Sequence, residues 1–160
     1  MEIKVIEIDN PQSFNLILGQ SHFIKTVDDV HEALVSAVPG VKFGFAFCES
    51  SDKRLIRFTG TDDEMMELAT KNAMNISSGH SFILFIKNAY PINFLRILRD
   101  VPEIVGFYCA TANPLKVIIG VDGEQQGILG VLDGFKPLGI EDEEGMKERK
   151  EFLRKIGYKL

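Results

Sequence analysis

The chain is poor in the features that would assign it a class outright. Its 160 residues hold only two cysteines and three histidines. Cys48 and Cys109 lie in the apolar runs FGFAFC and GFYCATA and read as buried free thiols, not as a disulfide framework. No Cys/His cluster has zinc spacing, and no metal ligand set is assigned. Positive charge is not in excess either: 18 Lys and Arg face 23 Asp and Glu, a net charge of −5. That balance provides no overall basic field for duplex nucleic acid or an anionic membrane. The apolar runs are short and broken by Gly, Pro or charge, too short to span a bilayer. The opening MEIKVIEIDNPQ has no basic segment followed by an apolar one, so no signal peptide is expected. Repeats, low-complexity tracts and linkers are absent. The expectation is a soluble, cytoplasmic protein without a nucleic-acid or membrane partner.

What remains suits one domain over residues 1–160. Hydrophobic and charged fractions of 45% and 26% are those of an ordinary globular chain. A domain of this size buries about two-thirds of the surface its unfolded chain exposes, so it needs no metal or disulfide to hold a core.

Local patterns predict the order ββαββαβαβββα. Strands are expected at 2–8, 14–18, 41–48, 54–59, 80–86, 104–110, 115–121 and 127–132. The first helix carries the stripe Val27, Val30, Leu34, Val35 and Val38, with Thr26 as its expected cap and Asp29 three residues on. The second begins near Thr61 and Asp62 and stops at Ser77-Ser78-Gly79. Pro91 suits the first turn of a short helix, and a last helix over 142–156 runs from acidic to basic, as the helix dipole favours. Hairpins mixed with crossover helices predict an α/β (α+β) domain with a mixed β-sheet and covering helices.

The segment Gly19-Gln20-Ser21-His22-Phe23-Ile24-Lys25-Thr26 joins a strand to a helix entrance, where free N–H groups and the dipole favour an anion. Gly19 allows close approach, Ser21 and Thr26 offer hydroxyls, and Lys25 supplies positive charge. His22 there can accept a phosphoryl group, since an imidazole nitrogen is a competent nucleophile near neutral pH; the plainer reading is a loop-capping imidazole. His80, in Ser77-Ser78-Gly79-His80-Ser81, is the second candidate, with a hydrogen-bonded strand-start histidine as its plainer reading. His31 reads as helix surface. Glu49, after a strand, is a candidate base or ion ligand.

The glycine-rich stretch 120–134 lacks the Gly-Lys-Ser/Thr ending of a Walker loop and has no following helix to make a dinucleotide fingerprint. It reads as a hairpin, or alternatively as a phosphate or ribose contact through Gly127 and Gly130, with Asp133 holding a hydroxyl or an ion. Thr111 and Asn113, in Ala110-Thr111-Ala112-Asn113-Pro114, read as a turn or as contacts to a base or sugar.

Along these same segments the chain resembles the prokaryotic adenosine-specific kinase family. The resemblance is carried by GQSHFIKT (19–26), KFGFAFCESS (42–51), SGHSF (78–82), ATANPLKVI (110–118), GILGVLDGFKPLGIE (127–141) and RKEFLRKIGYK near the C-terminus. It implies a compact mixed α/β subunit assembling as a homotrimer and an adenine nucleotide (AMP, ADP or ATP) bound in a surface cleft. It also implies a phosphate-carrying histidine, placed by motif on His22 first and His80 second. The combined expectation puts the phosphates at the turn 19–25 near Lys25, and the sugar or base near Asn113 and the segment 127–130. Glu49 or Asp133 would position a proton or Mg²⁺. The alternatives are a non-catalytic AMP/ADP sensor and a structural trimer.

Overall fold

Two runs without a single charged residue, FGFAFC and SFILFI, form the centre of the fold, and every residue in both is buried. The computed structural model describes residues 1–160. Strands β1 (Glu2–Glu7) and β2 (Asn15–Ser21) lead to helix α1 (Thr26–Ala37). Next come β3 (Phe43–Cys48), β4 (Ile56–Gly60) and helix α2 (Asp63–Ile76). Strand β5 (Ser81–Ile86) passes through a 3₁₀ turn at Pro91–Asn93 into the short helix α3 (Leu95–Arg99). Strands β6 (Ile104–Thr111), β7 (Leu115–Asp122) and β8 (Gln125–Asp133) and helix α4 (Glu143–Lys155) complete the chain, in the expected order and class.

The expected mixed sheet is replaced by two antiparallel ones. Five strands run in the order β4-β3-β5-β2-β6 and three in the order β1-β7-β8, with every neighbouring pair antiparallel. Interleaving is the reason. Helix α1 connects β2 to β3, which run in the same direction, but β5 sits between them. The β4-α2-β5 and β5-α3-β6 crossovers likewise skip one strand. Each of these three helices therefore makes a parallel crossover whose gap an oppositely directed strand fills.

Covering both faces of the large sheet explains why β3 and β5 are apolar throughout. On one side Phe43, Phe45, Phe47, Phe82 and Leu84 pack with Val30 and Leu34 of α1 and with Phe94 and Leu98. On the other, Ala46, Cys48, Ile83 and Phe85 pack with Met65, Ala69 and Ala73 of α2 and with Leu115, Val117 and Ile119 of the small sheet. Small residues on the α2 face of β3 let that helix lie close: a Cβ on Gly44 would stand 2.2 Å from the Met65 backbone.

Helix α2 begins where expected, with Asp62 as its cap, accepting from the Met65 N–H at 3.1 Å. The expected Thr26 cap is not formed. Lys25 occupies the N-cap position of α1 without a side-chain capping bond, and Thr26 begins the helix with its hydroxyl turned inward. Strand β2 also runs three residues past the expected Leu18, because bulged pairing with β6 carries it through Ser21.

Candidate active site at one end of the large sheet

The end of β2, the end of β3 and the starts of β5 and β6 converge at one edge of the large sheet. The Ser21 N–H donates to the His80 carbonyl at 2.9 Å, the His80 N–H to the Cys48 carbonyl at 2.8 Å, and the His22 N–H to the Glu103 carbonyl at 3.1 Å. His80 adopts a left-handed backbone conformation, φ 65°, sparsely populated for a residue with a Cβ and shared here by Ser13, Asp52, Arg54 and Ser77. Its ring stacks on Phe47, centroids 6.1 Å apart and planes 15° from parallel. Its Nε2 lies 2.7 Å from Ser50 Oγ. A Cβ on Gly79 would stand 2.7 Å from Ser50 Cβ, so the turn before His80 closes against that serine. The imidazole is thus fixed by backbone, ring contact and hydrogen bond at once. His22 is exposed, beside exposed Phe23 and Ile24.

The helix entrance departs from the expected cationic anion pocket. Lys25 Nζ bonds to Asp29 and, at 3.1 Å, to Glu103 Oε1, so two carboxylates face one ammonium. The Asp29 and Glu103 carboxylates hold the lysine pKa above its ordinary value, and the hydrogen bond from Lys25 holds Asp29 below its own. Ser21 and Thr26 are fully buried. Their two hydroxyls are adjacent, with Ser21 Oγ also 2.9 Å from the Glu103 carbonyl and Thr26 Oγ1 2.5 Å from the Phe23 carbonyl, so the two protons are shared among inward-facing acceptors. The N–H groups of Thr26 and Val27 donate to the carbonyls of Phe23 and Ile24, occupying donors a phosphate would need. Gly19 does approach something closely, but it is the Phe82 ring and the Gly106 carbonyl, 2.4 and 2.6 Å from where its Cβ would be. Gln20 continues the strand, half-buried.

Glu103 is the residue that sequence reasoning missed. It is buried, with one carboxylate oxygen toward Lys25 and the other, Oε2, without a partner. Nothing in VPEIVGFY singles it out, because its partners lie on a loop 78 residues earlier.

Glu49 accepts from the Leu55 N–H at 3.0 Å and from Arg57 at 3.2 Å, contacts that hold its carboxyl below the usual range. Arg54 pairs with Glu124 at 3.5 Å, tying the β7–β8 hairpin to this end of the molecule.

Residues 19–22, 25, 26, 49 and 80 are therefore gathered as expected, while the remaining candidates are elsewhere. Thr111 pairs with Leu16, at the far end of β2, about 17 Å from Ser21 by strand rise. Asn113 and Asp133 lie at that far end, where the Asn113 N–H donates to Thr111 Oγ1 at 2.9 Å. A cavity of about 280 Å³ opens there, lined by Ile8, Asp9, Asn10, Leu16, Ala112 and Asn113 among others. Gly127 and Gly130 sit on the small sheet with open space beside them. Within one subunit no single cleft joins the His80 end to Asn113. Glu49 and Asp133 are likewise at opposite ends, and no three His, Cys, Asp or Glu side chains converge on a point that would hold a metal ion.

Fold and site together define a small α/β protein with interleaved antiparallel crossovers and an immobilised imidazole at a strand-end mouth. Residues 6–159 match the family model described as adenosine specific kinase, and the chain belongs to that family. Among solved structures it is similar to the PH1918 protein from Pyrococcus horikoshii OT3, at 44% identity and a TM-score of 0.94 over 99% of this chain and 98% of that one. No curated protein matches the chain significantly.

Proposed function

We propose that the protein transfers a phosphoryl group to or from adenosine or an adenine nucleotide by way of His80. Membership of the family supports a general adenosine-related kinase function. The observation that carries the finer reading is the fixing of His80 by its left-handed backbone, the Phe47 ring and Ser50 Oγ. In the tautomer that donates Nε2–H to Ser50 Oγ, Nδ1 bears the free lone pair. That nitrogen attacks the phosphorus of a nucleotide donor. The N–P bond forms as the P–O bond to the leaving group breaks, and the leaving oxygen keeps the electron pair. In the second half an adenosine hydroxyl attacks the phosphorus, its proton passes to solvent or a carboxylate, and the N–P bond returns its electrons to the imidazole. His22, exposed at the same mouth, is the second candidate carrier.

Lys25 enters this scheme as a residue that positions Glu103 and Asp29, because its charge is already matched. Mg²⁺, if used, is the ion carried on the nucleotide's own phosphates, since Glu49 is engaged by Leu55 and Arg57. Homotrimeric assembly and a cytoplasmic location belong to the same reading.

The cavity at Asn113 favours a second reading, an AMP- or ADP-binding sensor with no nucleophile. Its mixed lining of Asp9, Asn10, Asn113, Ile8 and Leu16 suits a base or sugar. Titration with adenine and guanine nucleotides, paired with a radiolabelled transfer assay, separates the two. Adenine-selective binding with turnover supports transfer, adenine-selective binding without turnover or protein labelling supports the sensor, and no adenine preference removes both.

A further inference from the structure

Phosphates brought to His80 need a cation to meet their charge, and the cations at this end of the sheet differ in what they have left to offer. Lys25 already faces two carboxylates. Arg54 is exposed and paired with exposed Glu124. Arg57 is only 33% exposed, and one of its nitrogens, Nη2, carries both contacts to Glu49, at 3.2 and 3.3 Å. Three of its five N–H donors, one on Nε and two on Nη1, have no acceptor in the protein, and Nε is buried. A guanidinium held part-buried with most of its donors unused is costly unless a ligand takes them.

Register puts this group on the same face as the imidazole. Arg57 stands opposite Phe47, and Phe47 opposite Phe82, so the three side chains project from one face of the large sheet. The His80 ring stacks on Phe47 from the other side. Strands β4 and β5 are the two neighbours of β3. Two strand spacings and two residues of rise set the Arg57 and His80 Cα atoms about 12 Å apart, a gap that a long arginine side chain and a row of phosphates close together. One loop holds both groups: Glu49 bonds to Arg57, and the next residue, Ser50, bonds to His80.

We infer that Arg57 is the cation that binds the nucleotide's phosphates, its free N–H groups holding the oxygens of the phosphates that are not transferred. Glu49 keeps the guanidinium in place through Nη2, and its negative charge opposes that of the ligand. The inference rests on the reading that places the phosphates at the His80 end of the sheet, and it does not require His80 to be the nucleophile.

Calorimetric titration of the full chain with ADP and with adenosine, which has no phosphate, tests it. Arg57→Gln is expected to weaken ADP binding about tenfold or more and to leave adenosine within about twofold of wild type. Arg57→Lys restores part of the loss, as a point charge without the planar fork. Arg54→Gln removes a guanidinium three residues away and is expected to change neither affinity. Glu49→Gln guards against a folding effect. It keeps an acceptor for Nη2 while removing the opposing charge, so ADP binding is expected to tighten several-fold with adenosine unchanged. An ADP-to-adenosine affinity ratio that Arg57→Gln leaves unchanged, or no gain for ADP in Glu49→Gln, overturns the inference. Because binding is read without turnover, an unlabelled His80 overturns the transfer reading and leaves this result standing, whereas a wild type without adenine preference removes both.

Discussion

Lys25 Nζ stands 3.1 Å from Glu103 Oε1, an exposed ammonium joined to a buried carboxylate across 78 residues. With Asp29 on its other side, this lysine ties the entrance of α1 to the start of β6. The pair also predicts a pH profile. Asp29 and Glu49 titrate below their ordinary values of 3.8 and 4.5, so between the folded and ordinary values the unfolded chain binds more protons. Their contribution is complete above the ordinary values and is lost as pH falls through the folded ones. Lys25 titrates above 10.5, so its contribution is complete below 10.5 and is lost as pH rises through its folded value. Thermal unfolding from pH 2 to 8 is expected to show a melting temperature that is flat at neutral pH and falls steeply below 4.5, with a smaller neutral plateau in 1 M salt. A melting temperature that holds through pH 3 contradicts this.

Gly44 predicts a packing effect. A Cβ there meets the Met65 carbonyl carbon and oxygen at 2.2 Å, backbone atoms that cannot turn aside. Gly44→Ala is expected to lower the unfolding free energy by about 1–3 kcal/mol, read as a shift of the urea midpoint. Gly127→Ala, with open space and no positive φ, is the control and should stay within about 0.5 kcal/mol of wild type.

The Ser50–His80 bond predicts a kinetic effect. Ser50→Ala removes the partner of Nε2 and leaves the ring free to change tautomer. One hydrogen bond is worth about 1 kcal/mol, so kcat should fall about fivefold. KM should stay within error, because the serine orients the nucleophile without gripping the nucleotide. An unchanged kcat separates Ser50 from the chemistry.

The thiols predict an absence of reaction. Cys48 is buried as expected and Cys109 only half-buried; burial pushes Cys48 up, and burial with the nearby Asp133 charge pushes Cys109 up to about 12. Little thiolate exists at pH 8, and iodoacetamide is expected to leave both untouched in the native protein and to label both in guanidinium chloride. Rapid native labelling of either contradicts the burial described.

Much of this architecture can be read from residue order, and the limits have physical causes. FGFAFC and SFILFI announce strands covered on both faces, and Asp62 with Met65 announces a helix start, because each signal is local. The antiparallel pairing cannot be read, since α1 connects β2 to β3 whether or not β5 slips between them. The same holds for the site. Gly19, Ser21 and Thr26 have the composition of an anion loop, yet Phe82 fills the glycine's space and the two hydroxyls bond inward. Lys25 displays Asp29 four residues on, but Glu103, which completes the neutralisation, is visible only once β6 has paired with β2. Thr111, Asn113 and Asp133 share with the His80 end only membership of quoted motifs, and motif order carries no information about which end of a strand a residue occupies.

The most direct test is to locate the phosphate. The protein is incubated with [γ-³²P]ATP, and the label is mapped by peptide mass spectrometry in wild type, His22→Gln and His80→Gln. The account predicts an acid-labile, alkali-stable label on His80, retained in His22→Gln and lost in His80→Gln. Undiminished labelling of His80→Gln, or a label stable to acid, contradicts it.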